Sequence, residues 1–131
     1  MFKSHSVVEV FLHFVFVTKY RRKCTILEKA NIEFIKEMFD LIAVENGAQI
    51  EDLNVGNSNH IHFLLTIDGN TPISVIANKL KSKSSKILAD ELRKKQDNCI
   101  TEFWPGWQNG YYCGSVGNIN KEQITNYIKQ Q

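Results

Sequence analysis

At 131 residues the chain is about one domain long and can bury a real core, so a single domain over residues 1–131 is expected. With 16 basic against 14 acidic residues the formal charge is only +2, which excludes a globally polycationic protein and leaves any polyanion to local basic clusters. Three widely spaced cysteines, Cys24, Cys99 and Cys113, fit neither a disulfide framework nor a paired zinc signature and suit a reducing cytoplasm; no segment approaches about 18 apolar residues, and no membrane span or signal peptide is expected.

Val7 to Val17 is almost wholly apolar or aromatic, broken mainly by Glu9 and His13, as a central strand covered on both faces would be. It runs into the basic stretch Lys19-Tyr20-Arg21-Arg22-Lys23. Thr25 with Glu28 has the form of a capping box, and Leu27, Ala30, Phe34, Met38, Leu41 and Ile42 make one helical stripe that Gly47 stops. Ile50 to Val55 is a second strand, and Gly56-Asn57-Ser58-Asn59 is a turn that makes a hairpin with the strand beginning at His60. Thr71-Pro72 starts a long second helix with Pro at its first helical position; Ile73, Ile76, Leu80, Ser84 and Ile87 mark its buried side, and Lys79, Lys83 and Lys86 share a flank. Gln96 to Gly110, with Trp104 and Trp107, is aperiodic and predicts an ordered loop. Tyr111 to Val116 is a last strand, Gly117-Asn118 a joint, and Asn120 with Gln123 caps a terminal helix from Lys121 to Gln131.

The order β-α-β-β-α-β with an added helix predicts an α+β, ferredoxin-like antiparallel sheet with its two main helices on one face. On the histidine strand Ile61, Phe63, Leu65 and Ile67 would pack under the helices, leaving His60 and His62 on the open face. Alternate strand residues share a face, so the two imidazoles could hold one metal ion. On the terminal helix Ile124, Tyr127, Ile128 and Gln131 fall at i, i+3, i+4 and i+7, so a hydroxyl and a carboxamide lie one turn apart and could supply a nucleophile and a third ligand. Each feature alone has a blander explanation: solvated histidines at a strand end, a core tyrosine, a solvent-facing glutamine. Together they make up what metal-assisted phosphodiester cleavage requires.

The ordered motifs His13-Phe14-Val15-Phe16-Val17-Thr18-Lys19-Tyr20-Arg21-Arg22, His60-Ile61-His62, Leu80-Lys81 to Ser84-Ser85, Trp107, Tyr111 to Gly117 and Tyr127-Ile128 with Gln131 resemble the small single-tyrosine HUH transposases of bacterial and archaeal insertion sequences and their relatives associated with repeated palindromes. The resemblance spans nearly the whole chain. It implies that His60, His62 and Gln131 hold a divalent ion and that Tyr127 attacks a phosphate of single-stranded DNA, giving a 5′-phosphotyrosine. Hairpins near the element ends and a homodimer with exchanged terminal helices belong to the same expectation. Two imidazoles and a carboxamide oxygen suit Mg2+ or Mn2+, whereas zinc would want Cys113 nearby. Lys19, Tyr20, Arg21 and Arg22, with Lys79, Lys83 and Lys86, are the candidate DNA contacts, and Tyr20, Trp104 and Trp107 the candidate stacking platforms. Trp104 to Gly110 departs from the family's usual loop. A noncatalytic or domesticated single-stranded nucleic-acid-binding protein of the same fold is the alternative function.

Overall fold

Four antiparallel strands carry two helices on one face in a computed structural model that describes residues 10–96 and 101–116. The strand β1 (Val10–Val17) leads through three short 3-10 turns into α1 (Ile32–Glu45); β2 (Ala48–Gly56) and β3 (His60–Ile67) form a hairpin; α2 (Ile73–Lys95) and β4 (Tyr112–Ser115) follow. The sheet order is β2-β3-β1-β4, the ferredoxin-like arrangement that the element order implies. The expected terminal helix, with Tyr127 and Gln131, lies outside the described residues, as do Val7 to Glu9 of the first strand, Cys99 and the Gly117-Asn118 joint.

Strand periodicity sorts the core. Leu12, Phe14 and Phe16 of β1 and Ile61, Phe63 and Leu65 of β3 are all buried in one cluster with Ile35, Phe39 and Ile42 of α1 and Ile76, Leu80 and Leu88 of α2. Phe14 and Phe63 are cross-strand partners whose rings stack at 5.1 Å, and Phe39 meets Phe63 edge-on at 5.3 Å. Such pairs add to the area they bury because the ring quadrupoles favour offset and edge contacts.

The hairpin is closed by Asn57 and Ser58, both at positive φ (51° and 57°), with Asn59 N–H donating to Gly56 O at 3.1 Å. This left-handed pair matches the twist of the flanking strands. A bulge at Ile50/Asp52 interrupts the β2 register. On β2, which has a neighbour on one side only, the amides of Ile50, Leu53 and Val55 donate to side-chain oxygens of Asp40, Asp52 and Asn54 at 3.2, 3.0 and 3.0 Å.

Three local expectations are corrected. Thr25 does not cap α1: its N–H and hydroxyl bond the carboxylate of Glu102, 77 residues away, and Glu28 is extended, so the helix begins at Ile32. With the later start the buried face becomes Ile35, Met38, Phe39, Ile42 and Ala43, and Leu41 is 69% exposed. Along α2 the buried positions step by four from Ile76 through Leu80, Ser84 and Leu88 to Leu92, so Ile73 and Ile87 are exposed; Pro72 stands one residue before the helix and accepts from Val75 and Ile76 through its carbonyl. Finally, Trp107 is no open stacking platform. It is 5% exposed, packs on Phe16 and donates through Nε1 to the buried Ser84 hydroxyl at 2.9 Å, while Trp104 donates to Ser85 at 2.7 Å.

The described part of the Trp-containing loop is ordered by polar side chains. Gln96 Oε1 accepts from the amides of Thr101 and Glu102, and Lys81 Nζ donates to the carbonyls of Gln108 and Gly110 at 2.7 and 2.9 Å. The loop thereby delivers β4 to the free side of β1.

Candidate metal and DNA site

His60 and His62 stand on β3 opposite Gly56 and Asn54 of β2 and opposite Val17 and Val15 of β1. Both project from the face away from the helices, as their parity requires, and their rings meet edge to face at 4.5 Å. The face is not open at His62, which is 7% exposed. His13 of β1 stacks on it at 6.1 Å, and Tyr112 of β4 meets His13 edge-on at 5.9 Å. In the sequence His13 interrupts an apolar strand and opens the motif that carries the family resemblance, with no place in the site assigned to it. Its parity with Val15 and Val17 could have placed it, but its approach to His62 depends on the β1–β3 register.

Burial sets the charge state. His62 is pushed down to about 4, first by desolvation and then by its neighbours His60 and His13. His60 is lowered by burial and by the Arg21 guanidinium, and His13 by burial. All three imidazoles are therefore neutral at pH 7, the form in which a histidine binds a metal.

A further observation fits a cation. Both ring nitrogens of His62 are buried with no hydrogen-bond partner among the described residues, an arrangement that costs free energy unless something else binds them. A Cβ at Gly56 would come within 2.4 Å of His60 Nε2 and 2.6 Å of its Cε1, so glycine is what lets the His60 ring lie against β2. The described residues contain no group of three or more His, Cys, Asp and Glu side chains that could hold an ion, so the donors they bring are the two imidazoles. The third expected ligand, Gln131, lies outside them. Cys113 pairs with Phe14 and packs toward the helical core, on the face opposite His62, which removes the geometry a zinc site using it would need.

The basic turn Lys19–Arg21 joins this site from the side. Tyr20 and Arg21 both hold positive φ (57° and 54°), a conformation rare outside glycine. Hydrogen bonds fix it: Arg21 N–H to Thr18 O, Arg22 N–H to Lys19 O, Thr18 Oγ1 to Arg22 O, and Lys19 N–H to Gly106 O. The turn leaves Tyr20 85% exposed, with the Arg22 guanidinium 5.6 Å from its ring centroid. Lys79, Lys83 and Lys86 are exposed on α2, in the layer across the sheet from His62, where Lys83 pairs with Glu45 of α1 at 3.1 Å. Of the candidate DNA contacts, Arg21 is near enough to His60 to lower its pKa, and Lys19, Tyr20 and Arg22 adjoin it in the same turn.

The same fold occurs in solved structures. A protein of Deinococcus radiodurans R1 provisionally named a transposase aligns with a TM-score of 0.68 at 24% identity, covering 100% of this chain and 97% of its own. A REP-associated tyrosine transposase, solved bound to a REP hairpin, aligns at 0.58 and 11% identity over 98% of this chain and 67% of its own. In sequence, the transposase of insertion element IS200 from Salmonella typhimurium strain LT2 is 33% identical over 122 residues, covering 91% of this chain and 74% of that protein; the Salmonella typhi transposase matches equally. The profile of the family described as "Transposase IS200 like" matches residues 6–131, and the chain belongs to that family. It is accordingly a DNA-cleaving and DNA-transferring enzyme. No helix among the described residues is long and apolar enough to cross a membrane.

Proposed function

We propose that this transposase cleaves and rejoins single-stranded DNA at insertion-sequence ends through a 5′-phosphotyrosine on Tyr127, with Mg2+ or Mn2+ held by His60, His62 and Gln131. The observation that carries the reading is the pair of neutral imidazoles on one strand, with both nitrogens of His62 buried and unpartnered among the described residues. A divalent ion bound there would neutralise the charge of the scissile phosphate. The rest falls to the chain. The phenol oxygen of Tyr127 forms a bond to phosphorus as the bond from phosphorus to the 3′ oxygen breaks; the phenol gives up a proton and the departing 3′ oxygen gains one. Because the tyrosyl ester conserves the bond energy, a second 3′-hydroxyl can reverse the step without ATP.

Lys19, Arg21 and Arg22 would contact phosphates beside the ion, and the exposed Tyr20 ring would stack on an unpaired base. Lys79, Lys83 and Lys86 would act through long-range attraction for the strand. The hairpin-bound structural neighbour supports a hairpin near the cleaved end as the recognised feature. Joining two ends takes two sites, so the working form is a cytoplasmic homodimer in which Tyr127 and Gln131 of one protomer complete the His60 and His62 site of its partner.

Incubating the protein with labelled single-stranded element ends and Mn2+ should give a denaturation-resistant complex that Tyr127→Phe abolishes while binding survives. An adduct that persists in the Phe variant would move the nucleophile to Tyr111 or Tyr112. Binding without any adduct in the wild-type protein would support the noncatalytic alternative. Mixing His60→Ala with Tyr127→Phe chains should restore activity if sites are shared, and no recovery in proven heterodimers would sink the exchange.

A further inference from the structure

We propose that Asn59 is the positioning residue of the ion site, holding the His60 ring with Nδ1 protonated and Nε2 free to bind, an inference that rests on the proposed ion-binding reading. Asn59 Oδ1 lies 2.7 Å from His60 Nδ1. The amide orientation follows from the other end of the side chain. Asn59 Nδ2 donates to the carbonyl of Arg21 at 3.2 Å, and a carbonyl can only accept, so the amide nitrogen faces Arg21 and the oxygen faces the imidazole. An amide oxygen opposite Nδ1 demands a proton there. In a neutral imidazole that leaves Nε2, the ring atom nearest Gly56, as the lone-pair nitrogen.

Asn59 is itself held at every polar group. Its N–H closes the hairpin on Gly56 O, and its carbonyl accepts from Thr18 N–H at 2.9 Å and from Thr18 Oγ1 at 3.3 Å. Thr18 is fully buried and its hydroxyl also bonds Arg22 O at 2.7 Å. One side chain thus ties the His60 ring to the backbone of the basic turn, and one backbone unit ties both to β1. A ligand ring anchored through its distal nitrogen keeps its tautomer and aim without the ion present, which is what an outer-shell partner contributes.

The test uses the full-length protein without DNA and reads Mn2+ affinity by calorimetry and the His60 tautomer by 15N NMR. Wild type should bind Mn2+ and show His60 protonated at Nδ1. Asn59→Ala should lose that tautomer preference and bind Mn2+ about 10- to 100-fold more weakly, the usual cost of removing an outer-shell partner. Asn59→Asp keeps an acceptor for Nδ1–H and loses the donor to Arg21, so it should retain the tautomer and bind closer to wild type than the Ala variant does. If wild type binds Mn2+ and Asn59→Ala binds as tightly with His60 unchanged, the positioning role is overturned and the ion site stands. An Asp variant that has lost the tautomer overturns it too, even if the Ala variant fails to fold. Wild type that binds no Mn2+ overturns the ion site together with this inference.

Discussion

The two faces of the sheet are built from the same strands by opposite rules. Toward the helices, every second residue of β1 and β3 is a large apolar side chain packed against another; toward the other side, the alternating residues include the half-buried His60 and the buried His13 and His62. The first face gains stability from burial, whereas the second holds neutral polar rings whose desolvation costs stability. A fold that keeps such a face has function concentrated there, because packing alone would favour aliphatic residues.

Substitutions that strike one face and spare the other sharpen the contrast. The largest effect on stability is expected from Phe63→Ala, which removes the ring touching Phe14, Phe16 and Phe39: a loss of about 3–5 kcal/mol in denaturant titration. A loss below about 1 kcal/mol would mean that the aromatic cluster is not the centre of the core. Gly56→Ala should do the reverse. The clash is with the end of a side chain, so the fold survives, but the displaced His60 ring should weaken Mn2+ binding at least about tenfold, roughly 1.4 kcal/mol. Unchanged affinity would show that His60 Nε2 does not face the ion.

Acid should act on the histidine face as a slope. The ring of His62 has a folded pKa of about 4 against 6.5 in the unfolded chain, so between those values the unfolded state binds more protons. Stability is therefore independent of this ring above pH 6.5 and falls as the pH drops from there toward about 4. A His62→Leu chain should show a shallower slope over that window, and identical slopes would remove His62 from the titration. The smallest effect belongs to Lys83→Ala, which breaks an exposed pair with Glu45 and should change stability by less than about 1 kcal/mol. It should lower single-stranded DNA affinity less than Arg21→Ala does; the opposite ranking would bring the helical flank into the DNA path.

Much of this was legible in the chain because it is local. Period-two alternation identified β3 and put His60 and His62 on one face, and Gly56-Asn57-Ser58-Asn59 identified the turn before them. What escaped depends on partners far along the sequence. Thr25 looks like a cap until Glu102 reaches it, Trp107 looks like an exposed platform until Ser84 accepts its N–H, and His13 acquires meaning only through strand pairing. The error at Ile87 is of another kind: positions 87 and 88 both fit a 3.6-residue period, and tertiary packing chose Leu88. Asn59 read as a turn residue and is one, but the same side chain also reaches the imidazole that follows it.

The side-chain bonds along β2 bear on solubility. A strand with one neighbour ordinarily offers a row of unpaired amides to any passing chain, the usual nucleus of sheet-to-sheet aggregation. Asp40, Asp52 and Asn54 already occupy the amides of Ile50, Leu53 and Val55, so a strand arriving at that border would have to displace three existing bonds to gain its own. The acidic and amide groups on this border therefore work as a barrier to runaway polymerisation.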